Sequence, residues 1–278
     1  MAVAYSLPRN APESARLDEQ HQIWKATLAY PGLLHPRILA SLDGKQGRIA
    51  DVATGTGAWL VDLAATAPQH TYTGLDISNA QFPATHPENI EFDVMNIFEP
   101  VPAKYEGYFD VIHVRLLVLG LAGEQWHTTA QNLLAMSKPG GYLQWEEADF
   151  AHPTYYSAPK PTSTSSGLEA LHRHVLAVLQ PYGRMMDEAT QLPQICRQAG
   201  FEEIEERIVG SDAVEEWRER FMRIGIKAFA GILKMAGLEE AERVKVVADA
   251  EKAVDEGNWG KTNFHVVVGR KRLETPRT

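Results

Sequence analysis

The chain predicts an α/β fold, with a mostly parallel sheet of seven strands, helices on both faces and helical insertions at one end. Three observations lead there. Short apolar runs alternate with helical stretches along most of the 278 residues, the pattern of strands joined by crossover helices. The stretch Ile49-Ala-Asp-Val-Ala-Thr-Gly-Thr-Gly-Ala-Trp-Leu60 reads as strand, tight turn and helix. Glycines there let the backbone approach a ligand, and a helix start offers free N–H donors. A second apolar run, Thr71-Tyr-Thr-Gly-Leu-Asp-Ile, places Asp76 roughly 20 residues beyond the glycine pair, where an acid can hold both hydroxyls of a ribose.

Taken in order, the first ten or so residues carry Pro8 and read as extended, and 13–29 then reads as a helix with Ala15, Leu17, Ile23, Trp24 and Leu28 at helical spacing. Arg16 and Gln20 lie one turn apart on one face of it, a solvated face by the plain reading. After a turn at Asp43-Gly44 the strands are expected over 49–53, 72–76, 90–94, 109–114, 142–146, 204–209 and 264–269. The spacing at the glycine turn argues against a dinucleotide: a pyrophosphate site wants a third small residue where this chain has Leu60. The fourth strand carries His113 and Arg115 on one face toward the ligand-binding end of the sheet. His113 reads equally as a core histidine or a functional one. Arg115 in an apolar run requires a partner, either a ligand carboxylate or a nearby acid.

A helix over 125–136 precedes a turn at Lys138-Pro-Gly-Gly. From Phe150 the sequence turns polar and proline-rich, so residues 152–166 read as a loop before a helix over 167–179; a further helix ends at Ala199-Gly200. Residues 214–255 read as two helices interrupted at Gly237, with Trp217, Phe221, Ile224, Phe229 and Leu233 forming an apolar stripe that packs against the core. One domain over 1–278 is expected, with the helix 13–29 and the insertions 151–190 and 211–257 forming a cap over the site.

With 44% hydrophobic and 23% charged residues the composition is that of an ordinary globular domain. A net charge of −9 repels phosphate backbones, so nucleic acid is not expected as a partner. The single Cys196 precludes an internal disulfide, favours a reducing compartment and reads as a buried core residue. No signal-peptide pattern or membrane-length apolar run is present, so a cytoplasmic location and no membrane association are expected. The sequence does not speak to oligomeric state.

Four ordered motifs, Asp51-Val-Ala-Thr-Gly-Thr-Gly, Gly74-Leu-Asp-Ile-Ser, Ile90-Glu-Phe-Asp-Val-Met-Asn and Lys138-Pro-Gly-Gly-Tyr-Leu, resemble those of class I S-adenosylmethionine (SAM) methyltransferases. Over Arg16 to Gly269 the chain is similar to the fungal secondary-metabolite methyltransferases, a group holding gliotoxin-type thiol methyltransferases, O-methyltransferases and LaeA-like regulators. The resemblance implies a Rossmann-like sheet of order 3-2-1-4-5-7-6 with the last strand antiparallel, SAM as cofactor, S-adenosylhomocysteine as product and a small-molecule substrate. It implies a cofactor site drawn from Ala53, Thr54, Gly55, Asp76, Ile77, Met95, Asn96 and Arg115. Met95 would cover the adenine and Asn96 accept from its amino group, unless Asn96 only satisfies its own turn. It also implies an N-terminal helix closing over the cofactor, with Arg16 or Gln20 toward the methionine carboxylate.

No catalytic base stands out, which favours a thiol acceptor that needs none, with an oxygen or nitrogen acceptor as the alternative and a SAM-binding regulator as a different class of answer. Aromatic candidates for the acceptor side are Tyr5, Trp24, Trp145, Tyr155, Tyr156 and Tyr182. No metal is expected: the one dense acidic group, Glu146, Glu147 and Asp149, reads more simply as a solvated strand end.

Overall fold

The computed structural model describes residues 7–158, 165–234 and 238–273. Tyr5, Gly237 and the middle of the expected 152–166 loop therefore lie outside the described residues.

Helix α1 (Ala11–Leu28) begins where Asn10 accepts from the Glu13 N–H and Pro12 occupies the first turn, and it ends on Ala29 in the left-handed region. After the short α2 (Pro36–Leu42), strand β1 (Arg48–Val52) leads through the glycine turn into α3 (Ala58–Thr66). Strands β2 (Thr71–Asp76), β3 (Ile90–Val94) and β4 (Phe109–Arg115) follow, then α4 (Gln125–Met136). The remaining elements are β5 (Ser137–Tyr156), α5 (Ser166–Leu179), α6 (Leu192–Ala199), β6 (Phe201–Gly210), α7 (Arg218–Leu233), α8 (Glu240–Asp255) and β7 (Trp259–Lys271).

The seven strands form one sheet of order β3-β2-β1-β4-β5-β7-β6. Strands β1 to β5 pair in parallel, and β7 is antiparallel to both β5 and β6. The parallel strands all end on one edge, so the β1 turn, Asp76, Asn96 and Arg115 come together there. Leu60 and Leu63 of α3 are fully buried beside Ile49 and Tyr72 on one face. On the other, Ile112 and Leu143 pack with Trp126 of α4 and Cys196 of α6. Burial pushes the Cys196 thiol up to about 12, so it behaves as an apolar residue.

Two expectations fail around β5. The strand does not end at Glu146: after a register shift between Asp149 and Thr154 it resumes pairing, Tyr155 with Gly260 and Tyr156 with Trp259. The polar stretch that reads as loop is thus partly a bulge inside a long strand, held because β7 extends far enough to pair with it. The Lys138-Pro-Gly-Gly turn is likewise absorbed into β5 as an irregularity between its Ser137 and Tyr142 pairings with β4.

Candidate functional site

A cavity of about 720 Å³ opens at the carboxyl edge of β1 to β5, within the range of small-molecule sites. All ten residues singled out from the sequence line it: Arg16, Gln20, Ala53, Thr54, Gly55, Asp76, Ile77, Met95, Asn96 and Arg115.

At one end the wall is the glycine turn. Ala53, Gly55 and Gly57 all take positive φ (60°, 55° and 72°), so the chain folds back tightly before α3. Glycine tolerates this region, whereas Ala53 holds it at a cost of about 1 kcal/mol. A Cβ on Gly57 would stand 2.6 Å from the Phe92 ring, so this glycine also makes room for β3. Asp76 Oδ2 accepts from the Gly55 N–H at 3.0 Å and Oδ1 from the Ser78 N–H at 3.1 Å. Each oxygen keeps a lone pair for a further donor. Burial pushes the Asp76 carboxyl above its ordinary value, against these two hydrogen bonds. Asn96 Oδ1 accepts from the Phe98 N–H at 3.1 Å, the turn contact that the sequence left open.

Beneath this end lies a buried set of charges. Asp51 accepts from His113 Nδ1 at 2.7 Å through one oxygen and from the Thr54 hydroxyl at 2.7 Å through the other. His113 Nε2 stands 3.5 Å from Glu146, which also accepts from Gln144 at 2.7 Å, and its ring stacks on Trp59 at 3.9 Å. Burial alone would lower the His113 pKa, but Glu146 and Asp51 raise it; burial alone would raise that of Glu146, but His113 and Arg115 lower it. Each partner thus favours the charged form of the other. His113 is buried yet lines the cavity, tied to an aspartate on its floor.

Of the two partners expected for Arg115, no acid stands within ion-pair distance among the described residues, and its guanidinium donates to His21 Nδ1 of α1 at 3.3 Å. His21 Nε2 in turn reaches Asp62 of α3 at 3.0 Å, so Nε2 carries the proton. Burial and the adjacent Arg115 hold the His21 pKa down to about 4. Sequence reading passed over His21 because one histidine on a helix carries no pattern. The same helix is fastened by Asp18 to the Thr56 hydroxyl at 2.7 Å and by Glu19 to Arg220 of α7 at 2.8 Å. Arg16, expected to be solvated by the plain reading, is buried and forked onto Glu13 at 2.9 and 2.6 Å while facing the cavity.

The far end of the cavity is apolar. The segment after β4 supplies Leu116 to Gly120, β5 supplies Phe150, and α7 supplies Phe221, Ile224 and Phe229. The expected apolar stripe on α7 thus serves both as core packing and as cavity wall. Glu147 fixes the segment after β4: its carboxylate accepts from the Leu117 N–H at 2.7 Å, the Val118 N–H at 3.2 Å and Trp145 Nε1 at 2.9 Å. Burial raises its pKa to about 8 despite these three donors.

Glu146, Glu147 and Asp149 are buried, not a solvated strand end as expected. Alternation along β5 turns Glu146 and Glu147 to opposite faces, and Asp149 accepts from the Ala151 and His152 N–H groups. Of the aromatic candidates for the acceptor side, only Tyr182 lines this cavity among the described residues. Trp24 is stacked on Phe264 at 3.8 Å, and Trp145 lies against Trp126 at 5.7 Å.

A family model described as a methyltransferase domain matches residues 25–206. Among curated proteins, Methyltransferase grgD of Penicillium sp is 43% identical over 153 residues, 52% of this chain and 52% of that protein. N-methyltransferase gliN of Aspergillus fumigatus is 29% identical over 209 residues, 74% of this chain and 70% of that protein. Secondary metabolism regulator laeA of Aspergillus flavus is 32% identical over 149 residues, 52% of this chain and 37% of that protein. The chain spans about half the length of the first two curated relatives it matches. Among solved structures, the cyclase SpnF superposes with a TM-score of 0.54 at 18% identity, over 94% of this chain and 96% of that one. A phosphoethanolamine N-methyltransferase of Haemonchus contortus, in complex with phosphomonomethylethanolamine and S-adenosylhomocysteine, gives 0.53 at 14% identity, over 98% of this chain and 61% of that one. At such identities these likenesses bear on the fold alone.

Proposed function

The chain belongs to the methyltransferase-domain family, and from that premise we propose that it transfers the methyl group of SAM to a heteroatom of a small secondary metabolite. The observation that carries the reading is the two-ended cavity: a polar floor at the glycine turn and an apolar extension beyond Arg115. Asp76 fits a ribose because each of its oxygens keeps an acceptor position beside the backbone N–H it already holds. Ile77 and Met95 offer apolar surface for an adenine, and Arg16, Gln20 and Arg115 lie where an amino-acid carboxylate would need donors. SAM supplies an electrophilic methyl on a sulfonium. The chain's own residues hold the acceptor in line with that methyl and keep water away, which is the work of Phe150, Phe221 and Phe229.

Nitrogen is the acceptor we favour, because gliN, a relative of this chain, is named as an N-methyltransferase. A second reading, S-methylation of a thiol, is supported by the apolar end itself: beyond Arg115 no carboxylate or imidazole lines it among the described residues. A thiol needs little activation at neutral pH. The likeness to laeA supports a third role, SAM binding in a regulatory protein.

The test is a methyl-transfer assay on a panel of small amines, amides, thiols and phenols, with products identified by mass spectrometry, beside calorimetry with S-adenosylhomocysteine. N-methylated product in step with S-adenosylhomocysteine release is expected. Product on sulfur alone selects the second reading, and binding without turnover the third. No binding of S-adenosylhomocysteine would sink all three.

A further inference from the structure

One glycine in the wall of the apolar end is required neither by its backbone nor by its packing. Gly225 lies near the middle of α7, where glycine is the least favourable residue short of proline. Its φ is not in the left-handed region, so the backbone there accepts any residue. A Cβ on it would meet nothing within 4 Å, so no neighbouring side chain demands a glycine either. Among the described glycines of ordinary φ, Gly225 alone has this freedom. Gly231, further along the same helix, shows the contrast: its Cβ would stand 3.1 Å from Leu7 Cδ2. What Gly225 provides is space.

That space belongs to the cavity. Phe221, Ile224, Gly225, Ala228 and Phe229 all line it, and at 3.6 residues per turn they share one face of the helix, an arc of about 140° with Gly225 inside it. Phe221 and Phe229 are about 12 Å apart along the helix axis, and Gly225 lies midway between them. Each of the two rings is held by another aromatic: Phe221 by Phe264 of β7 at 5.5 Å and Phe229 by Phe150 of β5 at 5.9 Å. The helix is also fixed to β7, since Met222 Sδ accepts from the Gly260 N–H at 2.9 Å. The gap between the rings is therefore held open. Its floor is bare helix backbone, over which a planar ring makes contact across its whole face, whereas a puckered ring touches through a few hydrogens.

We propose that Gly225 determines which acceptor molecule the chain takes, by forming the floor of a slot between Phe221 and Phe229 that receives a planar apolar ring. The inference rests on the methyl-transfer reading only for calling this molecule the acceptor; the preference for a flat ring follows from the face of α7 itself.

Two neutral alcohols that differ in flatness test it: β-naphthol and its saturated counterpart decahydro-β-naphthol, measured by ligand-observed NMR on the full chain with and without S-adenosylhomocysteine. β-Naphthol should bind, and the saturated alcohol should bind weaker by about tenfold. Gly225→Ala should weaken β-naphthol by about threefold and Gly225→Leu by about tenfold or more, as the new side chain fills the slot. Neither variant should lower the denaturation midpoint, because alanine and leucine both favour a helix over glycine. Calorimetric affinity for S-adenosylhomocysteine should be unchanged in both. A fold at least as stable with a weaker ring site is a combination that a purely structural glycine would not give. The proposal is overturned if β-naphthol does not bind the wild-type chain, if the saturated alcohol binds as tightly or tighter, if Gly225→Leu leaves β-naphthol affinity unchanged, or if Gly225→Ala lowers the midpoint. If Gly225→Leu does not fold, the wild-type order and Gly225→Ala decide. Should S-adenosylhomocysteine fail to bind the wild-type chain, the methyltransferase reading falls, and the order of the two alcohols is still read from the sample without it.

Discussion

Between Asp51 and Asn96 the cavity wall comes from three neighbouring strand ends in one continuous stretch of chain, and its polar groups already hold one another: Asp51 with His113 and Thr54, Asp76 with two backbone N–H groups. From Leu116 to Phe229 the wall is gathered from four distant segments, and apart from Gln125, Tyr182 and Arg184 it is apolar. The first end is preorganised by hydrogen bonds and tolerates little change. The second is shaped by packing, so its form changes with side-chain size while the floor stays put. A fold that meets many substrates with one cofactor needs this division, because the strand ends cannot vary without losing the ligand they share.

The largest effect should come from breaking the buried charges under the first end. Glu146→Gln removes the buried carboxylate that faces His113 at 3.5 Å and should cost about 3–5 kcal/mol, read as a lowered denaturation midpoint. A loss within experimental error would mean that His113 is neutral. The pH dependence has a defined sign. The His113 pKa is raised in the fold, so its contribution is full below the unfolded value of about 6.5 and is lost as pH rises through the folded value. Glu146, lowered in the fold, contributes above the unfolded value and loses this as pH falls through the folded one. His21, lowered to about 4, stabilises the fold as the neutral ring above its unfolded value and loses that as pH falls from there toward 4. Stability should therefore peak near the unfolded histidine value and fall above it until the folded pKa of His113 is passed, and His113→Asn should flatten the alkaline side.

Next in size is a pair that separates the two ends. Asp76→Ala should weaken SAM and S-adenosylhomocysteine by about 2 kcal/mol, the worth of hydrogen bonds to a charged acceptor, while leaving the binding of an acceptor molecule at the apolar end unchanged. Phe229→Ala should do the reverse. If both variants weaken both ligands equally, the ends are not separable. The smallest effect sharpens the account of the floor: Ala53→Gly should raise stability by up to about 1 kcal/mol by relieving the left-handed alanine. A drop in melting temperature would show that the Ala53 methyl packs usefully.

The same contrast explains what the sequence disclosed. Glycines that turn a strand into a helix, and an acid at the end of the next strand, are spaced by local geometry, so the ten lining residues named from the first end and from Arg115 all reach the cavity. The sheet order came from resemblance, since spacing alone does not order strands. The long β5 escaped because its second half is paired by β7, whose length is visible only when both strands are in register. Glu146 and Glu147 looked solvated because acids usually are; here one answers a histidine and the other the backbone after β4.

Helix α1 precedes every strand in the chain, yet the groups that fasten it are Thr56, Asp62, Arg115, Arg220 and, last of all, Phe264 of β7 under Trp24. During synthesis a chain emerges from its amino end, so α1 leaves the ribosome with nothing to hold. It gains its partners one at a time, and the last arrives only when β7 has been made. Contacts so distant in sequence form slowly, since long loops must close before they are rewarded. The roof over the glycine turn is therefore expected to be the last part of the molecule to set. In pulse-labelled refolding the amides of α1 should gain protection after those of β1 and β4, and simultaneous protection would show that the helix docks on these strands without waiting for α7 and β7.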